Sequence, residues 1–396
     1  MNKPAAVSPN AVSAWRLAAL NLLVFAPVGL QLPFLSLWYA GIGFGAEAIA
    51  ILQGATPLAR FVSNLLVPPV ADRRGNAPLL LALCALGGMA GFAFAGLHHS
   101  FWWVFACIVA ATFAQGPMIA LGDSMTLREA RRRVVANERA LDYGAIRGFG
   151  SVGVLVLMTI GGWLVAPFAQ QDIIFVIASS MALVTLGIVV LSPRTAATGG
   201  PAQRVAPEKI ARPGLVALVV LGAALIQSSH AMVYTFGSIA FRGAGYSDVM
   251  IGFLWAIGVA TEIIFFVVAG RRFGGAGAAY VFLMLGGASA ILRWIAMSFA
   301  LPTPLLFVVQ AMHATTFAST HLGAVFALTR LVGETRRAQA QGWISGVNAL
   351  VYAATAISCG FLWNAFGPQA YLAMAAIAAA GLALVAIAAL DPRKDM

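Results

Sequence analysis

Charged side chains are scarce in this sequence. Its 396 residues hold 24 Lys and Arg and 13 Asp and Glu, 9% of the chain, where a soluble domain carries about 25%. So few charges cannot cover a water-soluble globule of this size, and a 61% hydrophobic content excludes a disordered chain. Cysteine is rarer still. Cys84, Cys107 and Cys359 fall inside apolar runs, show no metal-ligand spacing and read as packing residues. The apolar runs do not alternate with polar residues, which excludes a membrane β-barrel. There is no Gly-x-x-x-x-Gly-Lys loop for ATP, and no His-Glu-x-x-His or Gly-x-Ser-x-Gly string for hydrolysis. The net charge of +11 is dispersed in small basic clusters, so nucleic acid is not the expected partner.

What remains is an abundance of long apolar runs. About 20 such residues cross the hydrocarbon core as a helix. Twelve spans are expected, at 14–39, 47–69, 78–97, 101–126, 142–165, 171–191, 213–241, 248–270, 277–299, 304–329, 341–366 and 369–390. Basic residues favour the cytoplasmic side. With the N-terminus inside, 20 Lys and Arg fall in inside segments, among them Arg73, Arg74, Arg128, Arg131, Arg132, Arg133 and Arg139, against Arg242 outside. Both termini are therefore expected in the cytoplasm, the protein in the inner membrane, and no signal peptide is evident. The basic pI reports topology and not a partner.

Residues 192–212 carry Pro193, Gly199-Gly200, Pro201 and Pro207, a linker composition. They divide the chain into halves at 1–191 and 213–396 with six spans each. The halves repeat at a shift of 198. Ala71-Asp72-Arg73-Arg74-Gly75 corresponds to Ala269-Gly270-Arg271-Arg272-Phe273-Gly274, and Arg139 and Gly144 correspond to Arg337 and Gly342. Six plus six spans with a central cytoplasmic loop resemble the major facilitator superfamily. The Asp-Arg-Arg-Gly loop resembles a shortened form of that superfamily's signature, with Pro68 and Pro69 where a Gly is usual. The fold class this implies is all-α integral membrane, twelve helices in two pseudo-repeated halves.

Five charges fall inside spans, where each costs at least about 2.5–3.5 kcal/mol at the helix centre, and so they are functional candidates. They are Arg60, Asp123, Arg147, Glu262 and Arg293. His230, His313 and His321 also lie at membrane depth. Glu262, with Arg293, His230 and His313 at comparable depth, suits proton coupling, because a carboxylate beside an Arg that moves can load and release a proton. A static ion pair packing two helices is the plainer reading. Asp123 and Arg147 suit a cytoplasmic-side gate pair. Arg60 has no acidic residue at its own depth in the sequence and suits an anionic ligand, since its fork matches a carboxylate. Gly144, Gly148, Gly150 and Gly153 read as close helix packing. Trp38, Tyr39, Trp102 and Trp103 read as interfacial belt residues, and Trp255 and Trp294 as deeper ones. His313 and His321 lack a third metal ligand.

Several segments resemble one branch of the superfamily. Tyr143-Gly144-Ala145-Ile146-Arg147-Gly148-Phe149-Gly150-Ser151-Val152-Gly153 is similar to the start of the fifth span in lactose permease-type symporters and in the phenylpropionate permease family. Gly54 with Ala59-Arg60-Phe61, Gly245-Tyr246-Ser247, Ile251-Gly252-Phe253-Leu254-Trp255, Glu262, Arg293-Trp294, Gln310-Ala311-Met312-His313, Thr316-Phe317 and His321-Leu322 resemble the phenylpropionate permeases more closely. In the lactose permeases a sugar-binding Arg stands where Arg147 does, and proton-network residues stand where Arg293 and His313 do. The acid expected one turn after the His is here Thr316, so the sugar mechanism does not transfer.

The resemblance implies a secondary transporter, not an enzyme, taking up a small aromatic carboxylate such as 3-phenylpropionate with protons by alternating access. It implies no cofactor beyond the proton gradient, and a monomer. Expected substrate contacts are Arg60, Arg147, Asp123, His321, Gln310 and Trp255. Transport of nucleosides or oligosaccharides, or efflux of hydrophobic compounds, stands as the alternative.

Overall fold

The structure is a computed structural model that describes residues 12–192, 212–272, 278–332 and 336–391. The residues of the expected linker other than Ser192 and Arg212, the Phe273-Gly274 end of the repeated loop, and both chain ends fall outside these limits. The described residues are helical without a strand. The first eight α-helices are α1 (Ala14–Phe25), α2 (Val28–Gly41), α3 (Ala46–Arg74), α4 (Ala77–Ala95), α5 (Phe101–Gln115), α6 (Met118–Val135), α7 (Tyr143–Val165) and α8 (Ile173–Leu191). The remaining eight are α9 (Pro213–Ser228), α10 (Ala231–Gly243), α11 (Asp248–Arg272), α12 (Ala279–Met297), α13 (Thr303–Ala311), α14 (Ser319–Leu331), α15 (Arg337–Phe366) and α16 (Tyr371–Leu390). Among the described residues, 10 helical stretches are long and apolar enough to cross a membrane. Their outward faces are apolar: α8 exposes Leu183, Leu186, Val189 and Val190, which suits contact with lipid and not water.

Some stretches are interrupted near their middles. Proline breaks two of them, since it lacks the N–H that a continuous helix needs. Pro27 separates α1 from α2, and Gly116-Pro117 separates α5 from α6. The break between α9 and α10 has no proline. There Ser229 Oγ donates to the Ile226 carbonyl (2.6 Å) and the His230 ring bonds the Gln227 carbonyl (3.0 Å), so side chains occupy carbonyls at the helix end. Between α13 and α14 the chain widens into a π-helix at Ala314–Ala318, a departure that recurs at functional sites.

The chain divides into two compact units, Met1–Ile42 with Ala59–Ala202, and Gly43–Leu58 with Gln203–Met396. The first turns of α3 thus belong with the second unit. Within it, Gln53 Nε2 donates to the Tyr234 carbonyl (3.1 Å), and Asn364 Nδ2 donates to Glu47 Oε1 (3.2 Å).

Two sequence expectations are corrected here. Trp38 and Tyr39 are not belt residues, for both are fully buried. The Trp38 indole donates to the Gln171 carbonyl (2.9 Å), so its polar end is satisfied inside the protein. Trp102 and Trp103 do remain exposed. In α7, Gly150 and Gly153 permit close packing, but Gly144 and Gly148 do not take part. A Cβ on Gly153 would meet the Leu22 backbone of α1, and one on Gly150 would meet the Phe25 ring, whereas Gly148 faces open space. The helical repeat explains this, because two residues' rotation places 148 nearly opposite 150. Gly29 answers from α2, where a Cβ would strike the Val154 carbonyl.

Gly153→Val is therefore expected to destabilise the purified protein by about 1–3 kcal/mol or to abolish its accumulation, as overpacking against backbone does. Gly148→Val should leave the thermal melting point within a few degrees of the parent. Equal effects would show that the glycine face is misplaced.

Candidate functional site

Each unit encloses a polar cluster at the interruptions of its helices. In the second unit the cluster is centred on Arg293 of α12, a side chain 2% exposed. Arginine only donates, so its contacts fix the roles of its neighbours. Arg293 Nη1 donates to His313 Nδ1 (3.3 Å) and to Thr316 Oγ1 (3.2 Å), and Nη2 donates to Gln310 Oε1 (3.0 Å). The guanidinium also lies 4.8 Å from the Trp294 ring, a cation–π contact. Nδ1 of His313 must accept, so the neutral ring carries its proton on Nε2. That nitrogen faces Glu262 Oε2 of α11 at 3.2 Å. His313 thus stands between a carboxylate and a guanidinium, with hydrogen bonds on both ring nitrogens.

His230 is fixed by the same reasoning. Its Nδ1 meets a carbonyl, Gln227 O, and must donate. In the neutral ring Nε2 then accepts from the Thr316 hydroxyl (2.9 Å). Thr316 has a second acceptor within reach, the His313 carbonyl at 3.3 Å. Its hydroxyl can therefore turn from His230 to the backbone if His230 gains a proton. The π-helix supports this geometry, since the Ser319 N–H reaches back five residues to Ala314 O. Ser319 Oγ ties the segment to the Phe282 carbonyl of α12 (2.7 Å), and a Cβ on Gly286 would collide with Thr320. Around the histidines lie aromatic rings. Phe317 stacks on His313 (5.1 Å between centroids), and Tyr234 stacks on Trp255 (5.7 Å), whose indole donates to Ser238.

The sequence candidates of this half thus fall into two groups. Glu262, His313, Arg293 and Gln310 are in direct contact, with His230 joined through Thr316. Trp255 lines the aromatic edge through Tyr234. His321 stands apart, its ring against Phe266 (6.2 Å), although it and Tyr234 remain in electrostatic reach of Glu262.

In the first unit Arg60 of α3 donates through Nη2 to Gln31 Oε1 of α2 and to Gln115 Oε1 of α5, both at 3.2 Å. Tyr39, farther along α2, is in electrostatic reach of Arg60. Asp123 and Arg147 do not join this group. They pair with each other at 3.4 Å, with the Phe25 ring under the guanidinium (4.0 Å).

The basic cluster at the end of α6 is more structured than an anchor alone. Arg132 bridges Glu129 (2.8 Å) and Glu138 (2.7 Å), and Arg133 bonds Glu129 and the Val12 carbonyl. Asn137, at a φ of 53°, makes the left-handed turn that brings Glu138 back. The Arg132 guanidinium holds the Glu138 carboxyl below the usual range.

The residues that charge counting passed over are two amides and a hydroxyl, Gln31 and Gln115 at Arg60 and Thr316 at Arg293. A signal was available. A glutamine in the middle of an apolar span has the same unexplained burial cost as a charge, on a smaller scale.

The family model described as the MFS_1 like family matches residues 14–373. The probable 3-phenylpropionic acid transporter of Escherichia coli (strain K12) is 30% identical over 364 residues, 89% of this chain and 92% of that one. The maltose permease of Geobacillus stearothermophilus is 28% identical over 299 residues, 72% of this chain and 71% of its own. Among solved structures, a mutant of the nucleoside transporter NupG superposes with a TM-score of 0.82 at 17% identity, covering 95% of this chain and 99% of that one. These matches are transporters, and with the membrane-length helices they make this a multi-pass membrane protein, consistent with a place in the inner membrane. The chain belongs to the MFS_1 like family of membrane transporters and is not an enzyme.

Proposed function

We propose that this transporter takes up a small aromatic carboxylate, of the 3-phenylpropionate kind, together with protons and by alternating access. The observation that carries the proton coupling is His313, hydrogen-bonded on one side to Glu262 and on the other to Arg293 inside an apolar bundle. A proton added to Glu262 removes the negative charge that His313 Nε2 faces. A proton added to His313 must go to Nδ1, which requires Arg293 to leave. Proton loading and Arg293 movement are thereby linked, which a coupled transporter requires. His230 is a second proton acceptor in this reading, Gln310 holds the retracted Arg293, and Trp255 and His321 border the site. Asp123 and Arg147 serve as a cytoplasmic-side gate pair. The named relative at 30% identity supports the aromatic acid. Oligosaccharide transport is the second reading, favoured by the maltose permease relative.

In proteoliposomes, Glu262→Gln is expected to abolish accumulation driven by a proton gradient while preserving exchange of labelled substrate across the membrane. Loss of both to the same extent would assign Glu262 to binding or structure. Thr316→Val leaves Arg293 one acceptor short and His230 without its donor, so it should lower stability by about 1–3 kcal/mol. Thr316→Ser should restore most of that loss in the same thermal melts, because the hydroxyl and not the methyl makes these bonds.

A further inference from the structure

The first unit contains hydrogen-bond donors that proton coupling does not use. Gln31 is 5% exposed, and its Nε2 has no hydrogen-bond partner among the described residues. Its orientation is fixed, because Oε1 accepts from Arg60 and a flipped amide would set N–H against N–H. The amide nitrogen shares a carbon with that oxygen, so it stands beside the guanidinium. Gln115, 6% exposed, takes another Arg60 contact with its oxygen, while its nitrogen faces the Met181 sulfur at 3.9 Å.

The scaffold under this cluster is tight. A Cβ at Gly116 would press on Ser63 Oγ and on the Arg60 backbone, so the break between α5 and α6 backs directly onto Arg60. Ser63 Oγ in turn donates to the Arg60 carbonyl (3.0 Å).

Gln31 thus holds an unmatched buried donor beside the Arg60 guanidinium, and a ligand that only accepts would satisfy both. A carboxylate is such a group, with room for about four hydrogen bonds and a charge that shortens and strengthens each. An alcohol or amide brings donors of its own and leaves part of the set unmatched. We propose that Arg60, Gln31 and Gln115 form a carboxylate-binding subsite that holds the acid group of the transported molecule. The proposal rests on the aromatic-acid reading and specifies where the acid end is held. On binding, the amide oxygens give up Arg60 to the ligand, and Gln31 Nε2 donates to the same anion.

The decisive substitution is Gln31→Glu, which places a carboxylate of the chain itself where the ligand's would go. The experiment is calorimetric titration of the full-length protein in nanodiscs with 3-phenylpropionate and with its uncharged amide, with thermal melting as the check on folding. The parent is expected to bind the acid about thirtyfold or more tighter than the amide, as sites built around a charged partner do. Gln31→Glu should bind the acid at least about thirtyfold more weakly, bind the amide as before, and melt no lower than the parent. If the parent prefers the acid and Gln31→Glu keeps that preference, the subsite is overturned while the aromatic-acid reading stands. If the parent binds neither compound, the reading and the subsite fail together.

Discussion

Arg293 is a cation sealed inside an apolar bundle, and every hydrogen-bond acceptor it meets among the described residues is neutral. Taking a guanidinium out of water costs several kcal/mol unless its surroundings compensate. The surroundings are arranged for that task. Gln310 and Thr316 turn oxygens toward it, His313 turns a lone pair, and Trp294 offers its ring face. The negative charge, Glu262, is reached only through His313. This arrangement dictates the tautomer of His313, while the Gln227 carbonyl sets that of His230 and so turns the Thr316 hydroxyl toward it. A chain of bonds thus leads from the buried charge across α9, α11, α12 and the π-helix.

The same bilayer constraint explains where such chains can exist. In hydrocarbon an unbroken helix satisfies its own backbone and offers polar side chains no partner, so polar clusters belong where helices break or meet. Here Gln31 follows the Pro27 break by one turn, and Gln115 ends the helix before Pro117. His230 stands at the α9–α10 break, and His313 begins the π-helix. At the α9–α10 break the side chains of Ser229 and His230 use carbonyls at the helix end. A helix break that would be a defect in a packing element is here the element that carries chemistry.

Much of this was legible from charge alone. Glu262, Arg293 and His313 stood out because each was expensive in an apolar run, and the structure brings the three into contact. Arg60 stood out for the same reason. Charge alone leaves out the company it keeps, because glutamine carries no formal charge and shows only as a polar side chain in an apolar run. The π-helix was also invisible, since nothing in Ala314-Thr315-Thr316-Phe317-Ala318 differs from an ordinary helical segment. It arises from tertiary demands, namely Ser319 bonding Phe282 and Thr320 filling the space at Gly286. Trp38 and Tyr39 were misread because an aromatic at a span end suits an interface and an interior equally, and only the Gln171 carbonyl decides for the interior. The glycines of α7 show the same limit: composition marked the helix, but rotation about its axis decided which of them pack.

The two clusters differ in the one component that matters for coupling. Around Arg293 the chain supplies a histidine and, beyond it, a carboxylate. Around Arg60 it supplies the oxygens of two glutamines, groups that accept weakly and can turn to donate. A carboxylate built into the protein can hold a proton but cannot leave, whereas an amide can yield its place to an anion that arrives and departs. A coupled carrier needs both behaviours, one site whose charge changes by protonation and one whose charge partner is the cargo. Glu262 near Arg293 and Gln31 and Gln115 at Arg60 suit the coupling proposed above, and they predict that exchanging an amide for an acid in the first unit fills the cargo's place permanently.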